Sequence, residues 1–218
     1  MQGSNKAILW DLDGVLIDSE HLHFITWEKT LHDAGFPFTS ADFKATFGRN
    51  NLGVLTYLLG RPPSDEFLDE MATRKESLFR EKMINNLELL PGVMHWLTWF
   101  QENGFKQAVA SSAPPENVEA MVDEVEIRGF FNFLAAGGNL PSKPDPSVFL
   151  LAAEKCAVKP ENCLVIEDSP AGIEGASRGG MKCIAVQTTH PFDSLQGAGL
   201  IFNRLTDLTP GVIASLFK

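Results

Sequence analysis

The segment Ala7–Glu20, AILWDLDGVLIDSE, constrains the fold more than any other part of the chain. Its first four residues, Ala7–Trp10, form an apolar run with the length and composition of a buried parallel strand. Asp11 and Asp13 follow where the run ends, and Gly14 comes next. Residues two apart in an extended chain face the same side. The two carboxylates therefore converge, and they repel each other unless a cation lies between them.

Taken alone, this segment leaves two interpretations open. Asp and Gly are favoured in turns, so these residues could simply end a strand. In open α/β sheets, however, ligands bind beyond the carboxyl ends of the strands. Carboxylate oxygens also suit a hard ion such as Mg²⁺. The rest of the chain has to decide between a turn and a functional site.

Residues 17–89 contain no strand-like run. Helical patterns with glycine or proline stops cover Ser19–Ala34, Ser40–Thr46, Asn51–Leu59 and Ser64–Met83. We therefore predict a helical domain at 17–89, inserted into a core domain that is formed by 1–16 and 90–218.

Beyond residue 90, strand-like and helix-like segments alternate. The predicted helices are Val93–Asn103, Pro115–Glu124, Pro146–Cys156 and Pro170–Ser177, and the predicted strands are Gln107–Ser111, Phe133–Ala136, Cys163–Ile166 and Lys182–Val186. Such alternation predicts an α/β fold, a Rossmann-like parallel sheet with helices on both faces.

Polar residues follow several of these strands. Ser111 and Ser112 end one strand, Glu167 and Asp168 end another, and Lys143 lies in the proline-bounded loop PSKPDP between two strands. The carboxyl ends of parallel strands meet at one edge of a sheet, so these side chains should gather there with Asp11 and Asp13. A nucleophile, a metal and donors for phosphate oxygens are what phosphoryl transfer requires.

Four motifs in chain order now carry a resemblance that spans nearly the whole sequence. They are DLDGVLIDSE, the serine after an apolar strand, the lysine in SKPDP, and IEDSPAGIEGA. Together they resemble the haloacid dehalogenase superfamily of phosphatases. The helical insertion is similar to the cap of the subfamily that includes β-phosphoglucomutase and sugar-phosphate phosphatases, and we call residues 17–89 the cap.

The resemblance implies a catalytic role for four residues. Asp11 is the expected nucleophile that forms an aspartyl-phosphate, and Asp13 is the expected general acid and base. Ser111 and Lys143 are expected to hold the transferring phosphoryl oxygens. Lys143 should also keep Asp11 ionised, as a nearby cation does.

The resemblance also implies Mg²⁺ as the cofactor. Its expected ligands are the carboxylates of Asp11 and Asp168 and the backbone carbonyl of Asp13, with Glu167 as a further acid. The ion would cancel charge that otherwise keeps an anionic nucleophile away from an anionic phosphate. Gly14 is expected beside the substrate because it lets the backbone pass close to the site.

The expected substrate contacts are Ser112 at the strand end and four cap residues, His23, Trp27, Arg49 and Lys75. His23 and Lys75 resemble a histidine and a lysine that the mutase uses. Arg49 matches the position where the mutase grips a second phosphate, a role that suits an arginine fork. The alternative is that Arg49 and Lys75 are surface charges.

One departure separates hydrolysis from the mutase reaction. After the strand-end serine the mutase has Ser-Lys-Asn, which helps to hold the distal phosphate, whereas this chain has Ala113–Pro115. These residues supply neither a cation nor a side-chain donor. We therefore predict hydrolysis of a small phosphomonoester, a sugar phosphate, with the mutase as the alternative.

Two other classes are disfavoured by the same residues. A non-catalytic binding protein would not need every catalytic position filled. Haloacid dehalogenation would not call for the acid at Asp13 or the metal acids at Glu167 and Asp168. Both readings predict no metal-dependent phosphate release.

Composition bounds the partners and the compartment. The net charge of −10 argues against nucleic acid as the main partner. No segment has the length of a membrane span, and the start MQGSNK lacks the apolar core of a secretory signal. The three cysteines, Cys156, Cys163 and Cys183, lack metal-type spacing and predict buried thiols in a reducing cytoplasm. A monomer is expected.

Overall fold

The structure is a computed structural model, and it describes residues 5–217. Its strands are β1 (Ala7–Trp10), β2 (Ile17–Asp18), β3 (Glu88–Leu89), β4 (Lys106–Ser111), β5 (Phe133–Ala136), β6 (Cys163–Glu167), β7 (Lys182–Val186) and β8 (Leu200–Phe202). Its α-helices are α1 (Glu20–Asp33), α2 (Ser40–Thr46), α3 (Asn51–Leu59), α4 (Asp65–Met83), α5 (Val93–Glu102), α6 (Pro115–Glu124), α7 (Ser147–Lys155), α8 (Pro170–Arg178) and α9 (Pro210–Leu216).

A six-stranded sheet with the order β5-β4-β1-β6-β7-β8 forms the core, and each pair in it is parallel. Strand β1 lies between β4 and β6, with Trp10 opposite Val109 on one side and Ile166 on the other. All four residues of β1 are fully buried. The predicted fold class is confirmed.

The two faces of the sheet explain why β1 is an unbroken apolar run. Ile8 and Trp10 belong to one hydrophobic cluster, whereas Ala7 and Leu9 belong to the other. A strand covered by helices on both faces has no solvent side, so polar residues are excluded until the strand ends. The first carboxylate therefore comes directly after Trp10.

The cap helices α1 to α4 lie between the short strands β2 and β3, which pair antiparallel. The helices share a hydrophobic cluster of their own, which contains Trp27, Leu31, Phe38, Phe43, Val54, Leu55 and Met71. The prediction that residues 17–89 contain no strand is wrong at both ends. Two-residue strands are too short to show any periodicity. The boundaries of the two domains remain a prediction.

The cap is hydrogen-bonded to the core at one side of the site. Ser112 Oγ donates to the carbonyl of Gly48 at 2.7 Å. Asn50 Nδ2 donates to the carbonyl of Leu140 at 2.9 Å, and the Asn50 backbone N–H donates to Ser142 Oγ at 3.2 Å. The structure therefore shows the cap closed against the sheet edge.

Within residues 5–217, no helix is both long enough and apolar enough to cross a membrane.

A buried polar pair fixes β1 to its neighbours, and we predict that removing it is costly. Trp10 Nε1 donates to Gln107 Oε1 at 3.0 Å, and Gln107 Nε2 donates to the carbonyl of Leu97 at 2.9 Å. Gln107→Leu leaves the buried indole N–H of Trp10 without its acceptor and removes a hydrogen bond to the Leu97 carbonyl, so the free energy of unfolding should fall by about 2 kcal/mol. Urea unfolding measures the change. The control Gln101→Leu, on an exposed side chain, should shift it by less than about 0.5 kcal/mol. Equal effects would contradict the prediction.

Candidate active site

Asp11 and Lys143 form the centre of the site. Asp11 continues from β1, and its backbone N–H donates to the carbonyl of Ile166 at 3.0 Å. Lys143 Nζ donates to Asp11 Oδ1 at 2.6 Å and to Glu167 Oε1 at 2.7 Å. The ammonium also lies 4.9 Å from the centre of the Phe149 ring. The lysine that the sequence placed in a loop is therefore buried between two of the predicted acids.

Glu167, the last residue of β6, is fully buried. Its Oε2 accepts hydrogen bonds from the backbone N–H groups of Asp168 and Ser169 at 2.8 Å, and from Ser169 Oγ at 2.9 Å. A side chain at Gly172 could not be accommodated, because a Cβ there would lie 1.7 Å from Glu167 Oε1. Glu167 thus organises the turn from β6 into α8.

Asp168 lies near Asp11 and Glu167, and one of its carboxylate oxygens has no hydrogen-bond partner among the described residues. Its Oδ2 accepts from the hydroxyl of Thr189. Its Oδ1 is buried and has no hydrogen-bond partner in the described part of the chain. Gly14 approaches from the other side with φ +79°, and a Cβ there would lie 2.1 Å from Asp168 Oδ2. A buried, unpartnered carboxylate oxygen is the kind of atom that a cation satisfies.

The three acids Asp11, Glu167 and Asp168 offer oxygen atoms that all lie within 4.8 Å of one another. Burial raises the pKa of Asp11 to about 8, although Lys143 lowers it, and the charges of Glu167 and Asp13 add to the rise. Burial, together with Glu167 and Asp11, also holds the pKa of Asp168 well above its usual value. Lys143 thus lowers the pKa of Asp11, which is the direction that the motif predicts, but burial has the larger effect.

These observations test whether a metal fits. Three neighbouring carboxylates have one lysine among them, which bonds to two of them, so the fully ionised cluster carries excess negative charge in a buried place. The atoms that the cluster offers to a cation are carboxylate oxygens, and one of them, Asp168 Oδ1, has no hydrogen-bond partner among the described residues. The residues fit a hard divalent cation.

Asp13 is held by the first turn of the cap. Its Oδ1 accepts from Ser19 Oγ at 2.5 Å and from His23 Nε2 at 2.8 Å. Burial raises the pKa of Asp13, but His23 and the hydrogen bond from Ser19 outweigh it, so the pKa lies below its usual value. Ser19 directly precedes α1, but its side chain binds Asp13 and makes no capping hydrogen bond to the helix.

Lys75 continues this chain of contacts behind His23. Its Nζ lies 3.0 Å from His23 Nδ1. An ammonium can only donate, so Nδ1 accepts and Nε2 carries the hydrogen that is directed at Asp13. The His23 ring stacks on Phe79 with 4.2 Å between centroids. Lys75 is buried, which excludes the alternative that it is a surface charge.

The two serines that follow β4 have different surroundings. Ser111 is fully buried, and its Oγ accepts from the backbone N–H of Ala113 at 3.1 Å. It ends the strand next to β1, at the same edge as Asp11. Ser112 Oγ is engaged with the cap at Gly48. Ser111 is therefore placed beside the acids, whereas Ser112 joins the cap to the core.

A cavity of about 50 Å³ lies between the cap and these acids, which is room for only a few water molecules. Of the predicted site residues, its walls include Asp11, Asp13, His23, Trp27, Arg49, Lys75 and Ser112. The other predicted site residues do not line the cavity; they are Gly14, Ser111, Lys143, Glu167 and Asp168. Arg49 is exposed at the cavity.

Three contributors were missed from the sequence. Thr189 binds Asp168 and lies three residues after β7, so the strand-end rule could have found it. Glu76 lines the cavity and binds Lys75. Ser19 was assigned to a helix end. No local pattern distinguishes Glu76 from the other acids of α4.

The family model for haloacid dehalogenase-like hydrolases matches residues 5–180. The chain belongs to this family. Its relatives include a phosphorylated carbohydrates phosphatase of Thermotoga maritima, 29% identical over 82% of this chain and 83% of the relative. A β-phosphoglucomutase of Bacillus subtilis is also 29% identical, over 94% of this chain and 92% of the relative.

Family membership extends to the three-dimensional structure. A crystal structure of β-phosphoglucomutase from Clostridium difficile superposes with a TM-score of 0.87 at 26% identity, covering 97% of this chain and 96% of that chain. The sheet and the inserted helices of this hydrolase therefore belong to a shared architecture. The family resemblance stated from the motifs is confirmed.

We predict that Gly14→Ala damages the site beyond its effect on the backbone. Gly14 and Gly35 have nearly equal φ, +79° and +80°, but a Cβ at Gly35 meets nothing within 4 Å. Each substitution should cost about 1 kcal/mol of stability from the positive φ. Only Gly14→Ala should also displace Asp168, which would weaken binding of divalent cations. Calorimetric titration with Mg²⁺ and thermal unfolding measure the two effects. Equal cation affinity in both variants would contradict the prediction.

Proposed function

We propose that this chain is a Mg²⁺-dependent phosphatase that hydrolyses a small phosphomonoester, a sugar phosphate, through an aspartyl-phosphate on Asp11. One observation carries the proposal. Asp11 faces the cavity from one side, while Lys143 holds its Oδ1 from the other at 2.6 Å. A carboxylate that is oriented by a buried ammonium and opens onto a cavity suits nucleophilic attack.

In the first half of the reaction, an oxygen of Asp11 forms a bond to phosphorus as the bond from phosphorus to the leaving alcohol breaks. Because Lys143 engages Oδ1, the attacking atom is Oδ2. Lys143 also provides positive charge close to the transferring group, where three acids would otherwise repel it. Ser111, beside Asp11 at the sheet edge, is our second candidate for holding a phosphoryl oxygen.

Asp13 handles the protons. Both of its side-chain contacts in the described residues go to Oδ1, so Oδ2 is the atom that gives a proton to the leaving alcohol. Because the pKa of Asp13 in the free site lies below its usual value, the bound anionic phosphate must raise that pKa so that Asp13 first takes up this proton from solvent. In the second half, Asp13 takes a proton from the water that hydrolyses the acyl phosphate. Ser19 and His23 stabilise the carboxylate form that this second step requires.

The metal would be held by the carboxylates of Asp11 and Asp168 and by the backbone carbonyl of Asp13. When bound, Mg²⁺ supplies positive charge that offsets the repulsion between the acids and the phosphate. Both oxygens of Glu167 already have donors. We therefore assign Glu167 chiefly to positioning Lys143 and the turn that carries Asp168.

The cap determines the leaving group in this proposal. His23, Trp27, Arg49 and Lys75 line the small cavity above Asp11, which suits a leaving group of modest size. Similarity to a phosphatase of phosphorylated carbohydrates supports a sugar phosphate.

The surroundings of the protein complete the proposal. The three cysteines are buried free thiols, as suits a reducing compartment, so we keep the prediction of a cytoplasmic monomer. The net charge of −10 supports a small phosphorylated metabolite, rather than nucleic acid, as the partner.

We predict that Asp11→Asn removes activity without unfolding the protein. The amide keeps the size of the side chain but is not a nucleophile, so kcat for p-nitrophenyl phosphate should fall at least ~10³-fold, or ~4 kcal/mol of transition-state stabilisation. Phosphate release with Mg²⁺ and with a chelator measures the effect. Asp18→Asn, an exposed acid on β2, is the matched control and should retain activity. Activity of Asp11→Asn near that of the unmodified protein would refute the mechanism.

The mutase is a second candidate, because Arg49 lines the cavity and a β-phosphoglucomutase covers nearly the whole chain. Incubation of β-glucose 1-phosphate with Mg²⁺ and a bisphosphate activator distinguishes the two. We expect free phosphate, since Ala113–Pro115 offers no side-chain donor to a distal phosphate. Accumulation of glucose 6-phosphate in place of free phosphate would establish the mutase instead.

A further inference from the structure

Glu76 is a buried acid in the cap that the proposed mechanism does not use. It lies on α4 with only 5% of its surface exposed, and it forms part of the cavity wall above Asp11. Burying a carboxylate is costly unless partners replace the lost water. The contacts of Glu76 therefore show what this side chain does for the cavity.

Its partners come from both the cap and the core. Lys75 Nζ donates to the two carboxylate oxygens of Glu76 at 3.0 and 3.1 Å. Asn117 Nδ2, on the core helix α6, donates to Glu76 Oε2 at 2.5 Å. Arg80 Nη1 donates to Asn117 Oδ1 at 2.7 Å, which directs the NH₂ of the amide at Glu76. The carboxylate is thus fixed in place.

Glu76 also sets the net charge of the cavity wall beneath the cap, the part of the cavity where the leaving group would bind. Burial raises its pKa, but Lys75, His23 and a hydrogen bond from Asn51 outweigh burial, so the pKa lies below its usual value. The charge of Lys75 is therefore offset by a neighbouring carboxylate. Among the described residues that line the cavity, Arg49 is the cation without an ion-pair partner, and it is exposed.

We propose that Glu76 is a specificity-determining residue that excludes a second anionic group from the leaving-group end of the cavity. The substrate then carries its single phosphate on an uncharged skeleton rich in hydroxyl groups. A carboxylate can accept further hydrogen bonds from such hydroxyls. A second phosphate or a carboxylate would instead meet a fixed like charge where water is scarce. This inference rests on the proposed function and names its substrate class.

Two pairs of phosphomonoesters test it, because the members of each pair differ only in CH₂OH against a carboxylate. They are sorbitol 6-phosphate with 6-phosphogluconate, and glycerol 3-phosphate with 3-phosphoglycerate. For the unmodified protein, kcat/KM should favour the uncharged member at least about tenfold. Glu76→Gln should raise kcat/KM for the carboxylate ester, so that the ratio of kcat/KM for the uncharged ester to that for the carboxylate ester falls at least about tenfold. An unmodified protein that prefers the carboxylate, or a ratio unchanged in the variant, would overturn the inference.

A double variant separates charge from architecture. In Glu76→Gln with Asn117→Asp, the amide and the carboxylate exchange places, so the bridge from α4 to α6 can re-form and the new acid faces Arg80. Asn117 does not line the cavity, so the charge leaves the wall. If Glu76 acts through its charge, the double variant should keep the reduced ratio of kcat/KM between uncharged and carboxylate esters. If Glu76 only holds α4 against α6, the ratio of the unmodified protein should return, and the inference fails.

Further controls keep this result distinct from the proposed function. Glu81→Gln, an exposed acid on the same helix, should leave both ratios unchanged. If the unmodified protein with Mg²⁺ releases no phosphate from any of the four esters or from p-nitrophenyl phosphate, the proposed function itself is refuted. If it releases phosphate but the substrate ratio does not depend on Glu76, only the specificity inference is refuted.

Discussion

The site depends on a group of like charges that share one buried ammonium. Asp11, Glu167 and Asp168 come from two adjacent parallel strands, and Lys143 reaches between the first two of them. Burying such a group costs several kcal/mol per ion unless partners are exact in position. The fold supplies them from rigid elements: strand ends, the first turn of α8 and a glycine at 14 that no side chain could replace without collision. Excess negative charge then makes the group a natural place for a cation.

The second half of the site is assembled by the cap. Asp13 belongs to the core, yet its hydrogen bonds come from Ser19 and His23, which lie at the start of the cap. Lys75 and Glu76 stand behind His23 and connect it to Asn117 on the core helix α6. In the proposed mechanism, the acid that transfers protons is therefore connected through hydrogen bonds to the residues that would contact the leaving group. The proposal assigns the phosphoryl group to the core and the leaving alcohol to the cap.

The sequence predicts the core of this arrangement and less of its surroundings. Asp11, Asp168 and Lys143 could be found because they follow buried strands or lie in a proline-bounded loop, and a parallel sheet brings such positions to one edge. Glu76 could not be found in the same way, since its role arises from contacts between residues far apart in the chain. The paired strands β2 and β3 were missed because two residues show no period, and β8 and α9 were not predicted. Lys143 lowers the pKa of Asp11 as the motif predicts, but the larger and opposite effect of burial cannot be predicted from a motif.

The hydrogen bonds of Asn50 have a consequence for the turnover rate. One amide caps α3 through its oxygen, which accepts from Gly53, while its nitrogen donates to core carbonyls at 137 and 140. The cavity beneath the cap has room for only a few waters, so under the proposed function the cap would have to open for a sugar phosphate to enter. Opening would break the bonds of Asn50 to the core, and closing would form them again. If this opening is slower than the chemical steps, the turnover rate is set by Asn50, a residue that takes no part in the proposed chemistry.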